Sequence, residues 1–486
     1  MPTSHLRSTG SRPTAGQILR KLRACDFSGA LFYDSGAISV FMAETAGNHL
    51  CDQSPAAVRL RVPERSQVEM KFESVDDLVK ADHPVRVVWR VVETLDLSAF
   101  CEPIKARAGS GGRDATDPRL LVALWLYGCI RGIGSARELA RRCDPEEGSR
   151  AFLWLCGGVS VNHHLLSDFR VEHAAALDRL FTNTIAVLVK QGLVKVTRIA
   201  QDGTRVRASA GASSFRRAST LACLQQEAAA QVEALKRLLE DSRASAGLSA
   251  RQRAARERAA RERAARIGKA IEQIPQLQQR QDRLAKRMSK KQKETKLKEP
   301  RVSTSDDEAR AMKMPNGGFN PAVNVQLAVD TDSRAIVGVD VTNAGADSDQ
   351  AEKMRQQVEE RTGQKVSQHL MDGGFLVHDQ IERAAAQGVL LFVPPKPPRK
   401  REKYGSQYQP RAKDSQAIND WRVRMGTTEA KEIYKQRAAT VETANAHLKE
   451  HGMRSMLVRG LTKTKCVALW CALAYNVMMF ARHLVG

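Results

Sequence analysis

The 486-residue sequence lacks the cysteine pattern of a metal ribbon or of a disulfide-stapled domain. It has nine cysteines, an odd number, and no two of them form a C-x-x-C pair. This arrangement argues against a zinc ribbon and against a secreted disulfide framework, because both need cysteines in matched sets. Reduced thiols in a cytoplasmic protein are the simplest interpretation.

Long apolar stretches are also missing. The N-terminus has no continuous apolar segment of the kind that signal peptides carry. The longest apolar stretch, residues 466–480, is shorter than a membrane span and contains Asn476. We therefore predict a buried C-terminal helix and no membrane association. Residues 1–57 show no clear periodicity and are predicted to be a disordered extension, or the product of an upstream start codon.

Acidic residues are too few to balance the basic ones. Lys and Arg number 77 against 54 Asp and Glu, which gives a formal net charge of +23. A field of this sign attracts polyanions, and nucleic acid is the first candidate. A GC-rich genome, in which Arg and Ala are frequent, is the alternative explanation. The hydrophobic content of 42% is sufficient for two or three domains with cores of their own.

Two structural patterns follow one another along the chain. Residues 58–190 favour short helices joined by glycine turns, among them an apolar helix at 117–132, and resemble a DNA-binding helix-turn-helix bundle. Residues 191–220 and 315–486 favour a strand, a hairpin around Asp332, and then helices alternating with strands. This order predicts an α/β fold with a mixed sheet and helices on its faces.

A basic helical insertion is predicted between the first strand and the hairpin, over residues 221–314. Apolar residues at three- and four-residue steps make 221–241 an amphipathic helix. Residues 253–266 repeat every five residues, so their arginines spread around the helix and leave no apolar stripe. Residues 251–300 contain 17 Lys or Arg against six Asp or Glu. The insertion therefore either contacts the DNA backbone or is a solvated charged arm.

Three acidic residues stand out at predicted element positions. Asp202 and Asp372 are each followed by glycine and are predicted at strand ends. Glu442 lies on an Ala-rich helix seven residues before Lys449, so the two side chains share one face about 10 Å apart. Carboxylates gathered at a sheet edge repel one another unless a hard cation lies between them. Mg²⁺ and Mn²⁺, which take oxygen ligands, would meet that need.

Two further features have both a functional and an ordinary interpretation. Asp347 and Asp349 are rival metal ligands by residue type, but they precede a predicted helix, so we expect them to cap it. The segment 394–403 is a proline-spaced cationic loop that could follow phosphates, or simply a charged surface loop.

The segments around the three acids resemble the DDE transposases of bacterial insertion sequences. The segment DGTRVRAS is similar to the family's block with its first Asp, here Asp202, and MDGGF to the block with its second. The segment YKQRAATVETANAHLK is similar to the family's Tyr–Arg–Glu–Lys signature, here Tyr434, Arg437, Glu442 and Lys449. The resemblance runs from about residue 58 to the C-terminus and includes an InsH-like N-terminal domain.

This resemblance implies an RNase H-like catalytic domain. Asp202, Asp372 and Glu442 would hold Mg²⁺ or Mn²⁺, two ions in number, for DNA cleavage at the element's ends and strand transfer. The implied partners are double-stranded DNA, as terminal inverted repeats and target, and further copies of the chain on paired ends. The implied location is the bacterial cytoplasm, at the nucleoid. A catalytically silent end-binding repressor and a nuclease of the same fold are the alternatives.

One spacing departs from the family's signature. Four residues, instead of three, separate Arg437 from Glu442. On an α-helix this spacing would turn Arg437 about 140° away from Glu442. Lys435, seven residues before Glu442, would then lie on the acid's face and share the phosphate contact. The predicted DNA-binding residues are therefore Tyr434, Lys435, Arg437 and Lys449.

Overall fold

The computed structural model describes most of the chain after residue 71. The described residues are 72–107, 113–240, 249–286, 299–398 and 405–485, with 66, 68, 70, 109, 111, 288, 289 and 293. The predicted extension over residues 1–57 lies outside the described residues. The same holds for residues 399–403 of the cationic loop.

The first described part of the chain is helical. Its helices are α1 (Pro84–Thr94), α2 (Ser98–Cys101), α3 (Pro118–Ile130), α4 (Ala136–Arg142), α5 (Arg150–Cys156), α6 (His163–Glu172) and α7 (Ala174–Lys190). The side chains of His83, Asp117 and Ser135 start α1, α3 and α4 by accepting hydrogen bonds from first-turn backbone N–H groups. The apolar α3 is buried along nearly its whole length, which confirms the helix predicted at 117–132.

Strands begin after α7. They are β1 (Arg198–Arg207), β2 (Phe215–Arg216), β3 (Val302–Ser303), β4 (Arg310–Lys313), β5 (Phe319–Asp330), β6 (Ile336–Thr342), β7 (Gln368–Leu370) and β8 (Leu390–Phe392). Strands β2 and β3 pair with each other, and the other six form one sheet.

The predicted insertion is helical. Helices α8 (Ala218–Glu240), α9 (Ala250–Glu272) and α10 (Ile274–Lys286) lie between β2 and β3. Within residues 253–266 only Ala260 is buried, in agreement with the predicted lack of an apolar stripe there, and the buried Ile267 and Ala270 follow that segment on the same helix. Ala270 packs with Leu221 of α8 and Val302 of β3. Small residues on α9 thus let it pack closely, while its arginines remain in solvent.

Strand β1 is central in the sheet. It pairs antiparallel with β5 on one side and parallel with β7 on the other. Strands β4 and β6 both pair antiparallel with β5, and β8 pairs parallel with β7. Helices α11 (Ala351–Thr362) and α12 (His378–Ala386) link β6, β7 and β8. This arrangement confirms the predicted α/β fold with an RNase H-like mixed sheet.

The C-terminal part is helical again, with two irregular turns. Its helices are α13 (Gln416–Gly426), α14 (Thr428–Arg437), α15 (Thr443–Leu448) and α16 (Leu461–Leu484). A π-helical turn at Ala438–Glu442 joins α14 to α15, and a second one at Lys449–Met453 follows α15.

Helix α16 is a buried core helix, as predicted. By length and composition it could span a membrane, but 78% of its apolar window is buried inside the protein. It packs against α3, α7 and β6. The buried Asn476 side chain accepts from the Ile336 N–H at 2.9 Å and donates to the Ile336 carbonyl at 2.8 Å. This polar residue therefore satisfies the backbone at the start of β6.

One hydrophobic core joins the N-terminal helices to the sheet and to α16. Residues 72–486 accordingly form one compact unit. Strand β4 belongs to the sheet, although its residues fall in the stretch assigned from the sequence to the insertion. The predicted division of the chain into domains stays a prediction.

Candidate active site

Asp202 lies in the middle of β1, five residues before the strand ends at Arg207. The predicted strand end at Asp202 is wrong, because β5 continues to pair with β1 beyond the Asp-Gly pair. Gly203 permits close packing instead of a turn, since a β-carbon there would collide with the side chains of Gln326 and Asp347. Asp202, one position earlier, points to the opposite face of the sheet.

Asp372 lies two residues after β7, at the predicted strand end. Strand β7 runs parallel to β1, with Leu370 opposite Ala200. Asp202 and Asp372 therefore each lie two residues beyond a matched pair on neighbouring strands, and the sheet directs them to one face. Asp372 also accepts a 2.7 Å hydrogen bond from the backbone N–H of Gly374.

The Asp202 carboxyl is poorly hydrated. Its pKa is raised to about 6, chiefly by burial, because the charged form loses water contacts. The positive charge of Arg437 lowers the pKa of Asp202, and the negative charge of Asp372 raises it. A cation near Asp202 would stabilise the ionised form that burial disfavours.

Arg437 lies between Asp202 and Glu442. Its Nη2 donates to Glu442 Oε1 over 2.7 Å, and its Nη1 lies 3.7 Å from Asp202 Oδ2. The predicted separation of about 140° between Arg437 and Glu442 is wrong. Ala438–Glu442 form a π turn, in which residue i bonds to residue i+5, so side chains five positions apart face the same way.

An open groove of about 360 Å³, called the first groove below, lies beside these residues. Its lining is residues 202–205 of β1 with Pro315, Glu442, Asn445, Ala446 and Lys449. Glu442 and Lys449 therefore face the same space, in agreement with the face predicted from their spacing. The groove has both acidic and basic walls, which suits a ligand with negative charge beside bound cations.

Asn445 was missed in the sequence. Its Nδ2 donates to Asp202 Oδ2 over 3.3 Å. Its Oδ1 is buried and has no hydrogen-bond partner among the described residues. The available signal was its position three residues after Glu442, because residues three apart lie on the same side of a helix.

Lys435 and Tyr434 have different surroundings. Lys435 pairs with Glu432 at 2.6 Å on an exposed face and does not line the first groove. The expectation that Lys435 lies on the face of Glu442 is therefore wrong, and its predicted contact with DNA stays a prediction. Tyr434 is half-buried and hydrogen-bonds to Arg437, and burial raises the pKa of its hydroxyl. Tyr434 thus helps to hold the Arg437 side chain in position.

The donor atoms of the site suit a divalent cation, but they are not yet gathered around one. Within the described ranges, no three His, Cys, Asp or Glu residues are grouped closely enough to hold a metal ion. The Arg437 guanidinium contacts both Asp202 and Glu442, where a cation would compensate their charges. Carboxylates and the unpartnered Asn445 oxygen are the ligands that Mg²⁺ prefers. By donor type these residues suit such an ion, and Arg437 occupies the space between Asp202 and Glu442.

Asp347 belongs to a separate polar network on the other face of the sheet. Its Oδ1 accepts hydrogen bonds from Asn324 Nδ2 at 2.7 Å and Gln326 Nε2 at 2.6 Å. The predicted capping by Asp347 or Asp349 is wrong, because Gln350 is the N-cap residue and no side chain caps α11. The sheet's buried amides hold Asp347 instead.

The fold is a mixed α/β fold of the RNase H-like class. A family model described as Transposase DDE domain matches residues 290–477, and one described as Transposase domain (DUF772) matches residues 73–172. Together the two matches indicate that this chain is a DDE transposase of an insertion sequence. No curated protein and no solved structure matches it.

The DDE family match contains only two of the three acids. Asp372 and Glu442 lie inside the DDE match, whereas Asp202 lies before it. The inclusion of Asp202 in the site therefore depends on geometry: its place on β1 beside β7, and its contacts with Arg437 and Asn445.

Proposed function

We propose that this transposase cleaves DNA at the ends of an insertion sequence in a metal-dependent reaction and joins the freed strand to target DNA. The observation behind the proposal is the placement of Asp202 on β1 and of Asp372 just after the neighbouring strand β7, with Glu442 drawn towards Asp202 by their shared contact with Arg437. Acids brought together in this way need positive charge to compensate them.

Asp202, Asp372 and Glu442 would hold the divalent cations, two Mg²⁺ or Mn²⁺ ions. Bound there, such ions would help to form the nucleophile and to stabilise the leaving oxygen of a phosphoryl transfer. The chain's own contribution is to fix Asp202 on a paired strand and to orient its carboxyl through Asn445.

Arg437 and Lys449 would bind phosphates of the substrate strand. A phosphate entering the first groove competes with Glu442 for the guanidinium of Arg437, because both are anions that guanidinium binds through charge-assisted hydrogen bonds. The carboxylate is released by that exchange. Tyr434 would position Arg437, and Lys435, exposed on the outer side of α14, would contact DNA farther from the reacting phosphate.

The proposal extends to partners and organisation. The substrates are double-stranded DNA, both the terminal inverted repeats and the target, and copies of the chain assemble on paired ends. The helical segment 58–190 binds DNA, residues 191–220 and 315–486 carry the catalytic fold, and 221–314 is an insertion. The protein acts in the bacterial cytoplasm at the nucleoid, without a membrane.

Incubation of the purified chain with Mg²⁺ and DNA that carries the element's terminal repeats tests the proposal. We expect joined products. Nicks without joining would identify a nuclease of the same fold, and retention of DNA without cutting would identify a silent repressor.

The variant Asp202→Asn should lose cutting and joining but retain DNA binding, because it removes one charge and keeps the side chain's shape. The matched control is Asp349→Asn, at an exposed position that does not line the first groove, and it should behave as the wild type. Wild-type cutting by the Asp202 variant would contradict the assignment of this residue.

A further inference from the structure

A second groove, of about 560 Å³, adjoins the first one. It lies between the turn after α3, residues 131–135, and the segment after α15, residues 449–457. Lys449 lines both grooves. The N-terminal helical part and the acid-bearing helix therefore share a surface next to the candidate active site.

Backbone packed directly on backbone forms the floor of the second groove. A β-carbon at Gly132 would lie 2.7 Å from the carbonyl oxygen of Glu450, and one at Gly134 would lie 2.8 Å from that of Gly452. Gly452 has a φ of +99°, which favours glycine. These three glycines let the two segments meet without side chains between them, so the floor is rigid.

A buried arginine fixes the same junction from inside the protein. Arg170, only 5% exposed, donates from Nη1 to the carbonyl of Gly134 over 2.6 Å. Its guanidinium lies 4.7 Å from the centre of the Trp125 ring, and its own carbonyl accepts a hydrogen bond from Trp470. The core therefore sets the position of the turn after α3, independently of charges in the groove.

The second groove has positive charge that the protein does not neutralise. The side chains of Arg131, Lys449 and Arg454 form no hydrogen bond or ion pair with any residue that the structure describes, although the backbone N–H groups of Arg131 and Lys449 donate within their helix ends. The carboxylate of Glu138 is already shared by two neighbouring arginines of α4. Glu450, which also lines this groove, is exposed. Free cations at fixed positions in an open groove are suited to an anionic ligand.

Strand β1 connects the two grooves through its C-terminal end. The strand carries Asp202 in the first groove and ends at Arg207, whose carbonyl accepts a 2.8 Å hydrogen bond from the Met456 N–H. Ser455 pairs with Arg207 in a parallel β-bridge. Lys449 lines both grooves, so the two grooves adjoin at this residue.

We propose that the second groove binds the sugar–phosphate backbone of the DNA strand that leads away from the reacting phosphate, with Arg131 and Arg454 as phosphate contacts. The inference rests on the proposed function, because it takes the ligand of the first groove to be DNA. Guanidinium groups match phosphate oxygens through paired hydrogen bonds. Leu457 is the exposed large apolar side chain among the described lining residues, which favours a polar backbone over an apolar protein partner.

The salt dependence of DNA binding tests this inference. The single variants Arg131→Gln and Arg454→Gln are each compared with Arg482→Gln. Arg482 is an exposed arginine near the C-terminal end of α16. The probe is a fluorescently labelled duplex made from DNA that flanks the chain's own gene, and anisotropy gives affinity at several salt concentrations. Affinity falls as salt rises, and each groove variant should make this fall less steep. The magnitude of the slope of log affinity against log salt should decrease by about 0.9, the value for one lost phosphate contact. Arg482→Gln should not change the slope.

Mn²⁺ binding by calorimetry shows whether each variant retains the folded site, and neither groove arginine contacts the three acids. Groove variants with the wild-type slope would overturn the inference. The proposed function would still stand in that case if the wild-type protein cuts DNA. Changed slopes in a chain that never cuts would support the groove and remove the proposed chemistry. Variants that keep the slope but lose self-association on a sizing column would show a contact between copies, which also overturns the inference.

Discussion

The strand that carries Asp202 and the helix that carries Glu442 hold their acids in opposite ways. Strand β1 is paired on both sides, and the Asp202 side chain is 22% exposed. Glu442 lies on a π turn at the surface, its side chain is 51% exposed, and it contacts Arg437. Backbone pairing thus fixes one acid, whereas a local helical register fixes the other. The helix is therefore the side on which the site can rearrange when ions or DNA bind.

Single-residue deletions in the helix that carries Glu442 should have the largest effects on DNA nicking. Deleting the exposed Ala439 should convert the π turn into an α turn, with Arg437 four residues before Glu442 and still on its face. We expect DNA nicking to remain within about tenfold of wild type. Deleting Ala446 should rotate Lys449 by about 100° out of the first groove. For that variant we expect nicking to fall on the order of 100-fold or more.

Nicking rates of both deletion variants are measured on the same DNA, and circular dichroism checks that each variant folds. An Ala439 deletion that folds but nicks as poorly as the Ala446 deletion would show that the π turn does more than accommodate one extra residue.

The rigid side of the comparison predicts a loss of stability at Gly203. Gly203→Ala should lower the free energy of unfolding by about 1–3 kcal/mol, because the new methyl group collides with Gln326 and Asp347. The same change at Gly268, on α9, meets no atom within 4 Å. Gly268→Ala should instead raise the free energy of unfolding by about 0.5–1 kcal/mol, as alanine favours helix. Urea unfolding measures both, and equal effects would contradict the close packing at Gly203.

The buried sheet also predicts a pH dependence of stability through His369, on β7. Burial, together with the positive charge of Arg355, lowers the pKa of His369 to about 3. An unfolded histidine titrates near ~6.5, so between these values the unfolded chain binds a proton that the folded chain does not. The His369 contribution to stability should therefore fall by up to about 1.4 kcal/mol per pH unit as the pH drops below ~6.5.

A non-titrating variant, His369→Leu, should flatten this part of the profile in unfolding experiments between pH 7 and pH 4. The exposed His483 supplies the control, because His483→Leu should leave the profile as it is. A His369→Leu profile with the wild-type slope would show that other groups cause the acid loss.

For the helix that carries Glu442, we predict a smaller effect of Arg437 on the affinity for Mn²⁺. Arg437→Gln removes the positive charge that contacts Asp202 and Glu442, so an incoming cation no longer competes with a guanidinium. Mn²⁺ should bind about fivefold more tightly, as expected for a partly exposed ion pair of ~1 kcal/mol. Lys435→Gln, on the same helix but paired with Glu432, is the matched control and should leave the affinity unchanged. Calorimetry decides, and weaker binding by Arg437→Gln would contradict competition.

The sequence was informative where a local period determines the outcome. Asp372 follows a short strand and Lys449 shares the groove with Glu442, because strand and helix periods hold at those positions. Asp202 was misplaced because Asp-Gly is also a turn signature. Its mid-strand position depends on Gln326 and Asp347, which come from distant parts of the chain. Local sequence does not contain that packing.

The register of the last helix was also beyond the sequence. Ideal α geometry turned Arg437 away from Glu442, and only the π turn brings it back. For the same reason, ideal α geometry predicted Lys435 on the helix face of Glu442, where Arg437 lies. The capping predicted for Asp347 failed because buried amides on β5 offer its carboxylate stronger partners than a helix end does. In each case tertiary contacts outweighed a sound local preference.

The most direct measurement is the anomalous diffraction of crystals grown with Mn²⁺. We predict a manganese peak bound by oxygens of Asp202, Asp372 and Glu442, with the Arg437 guanidinium moved out from between the carboxylates. Manganese absent from these residues, with Arg437 still joining Asp202 to Glu442 at a saturating ion concentration, would contradict a shared cation site.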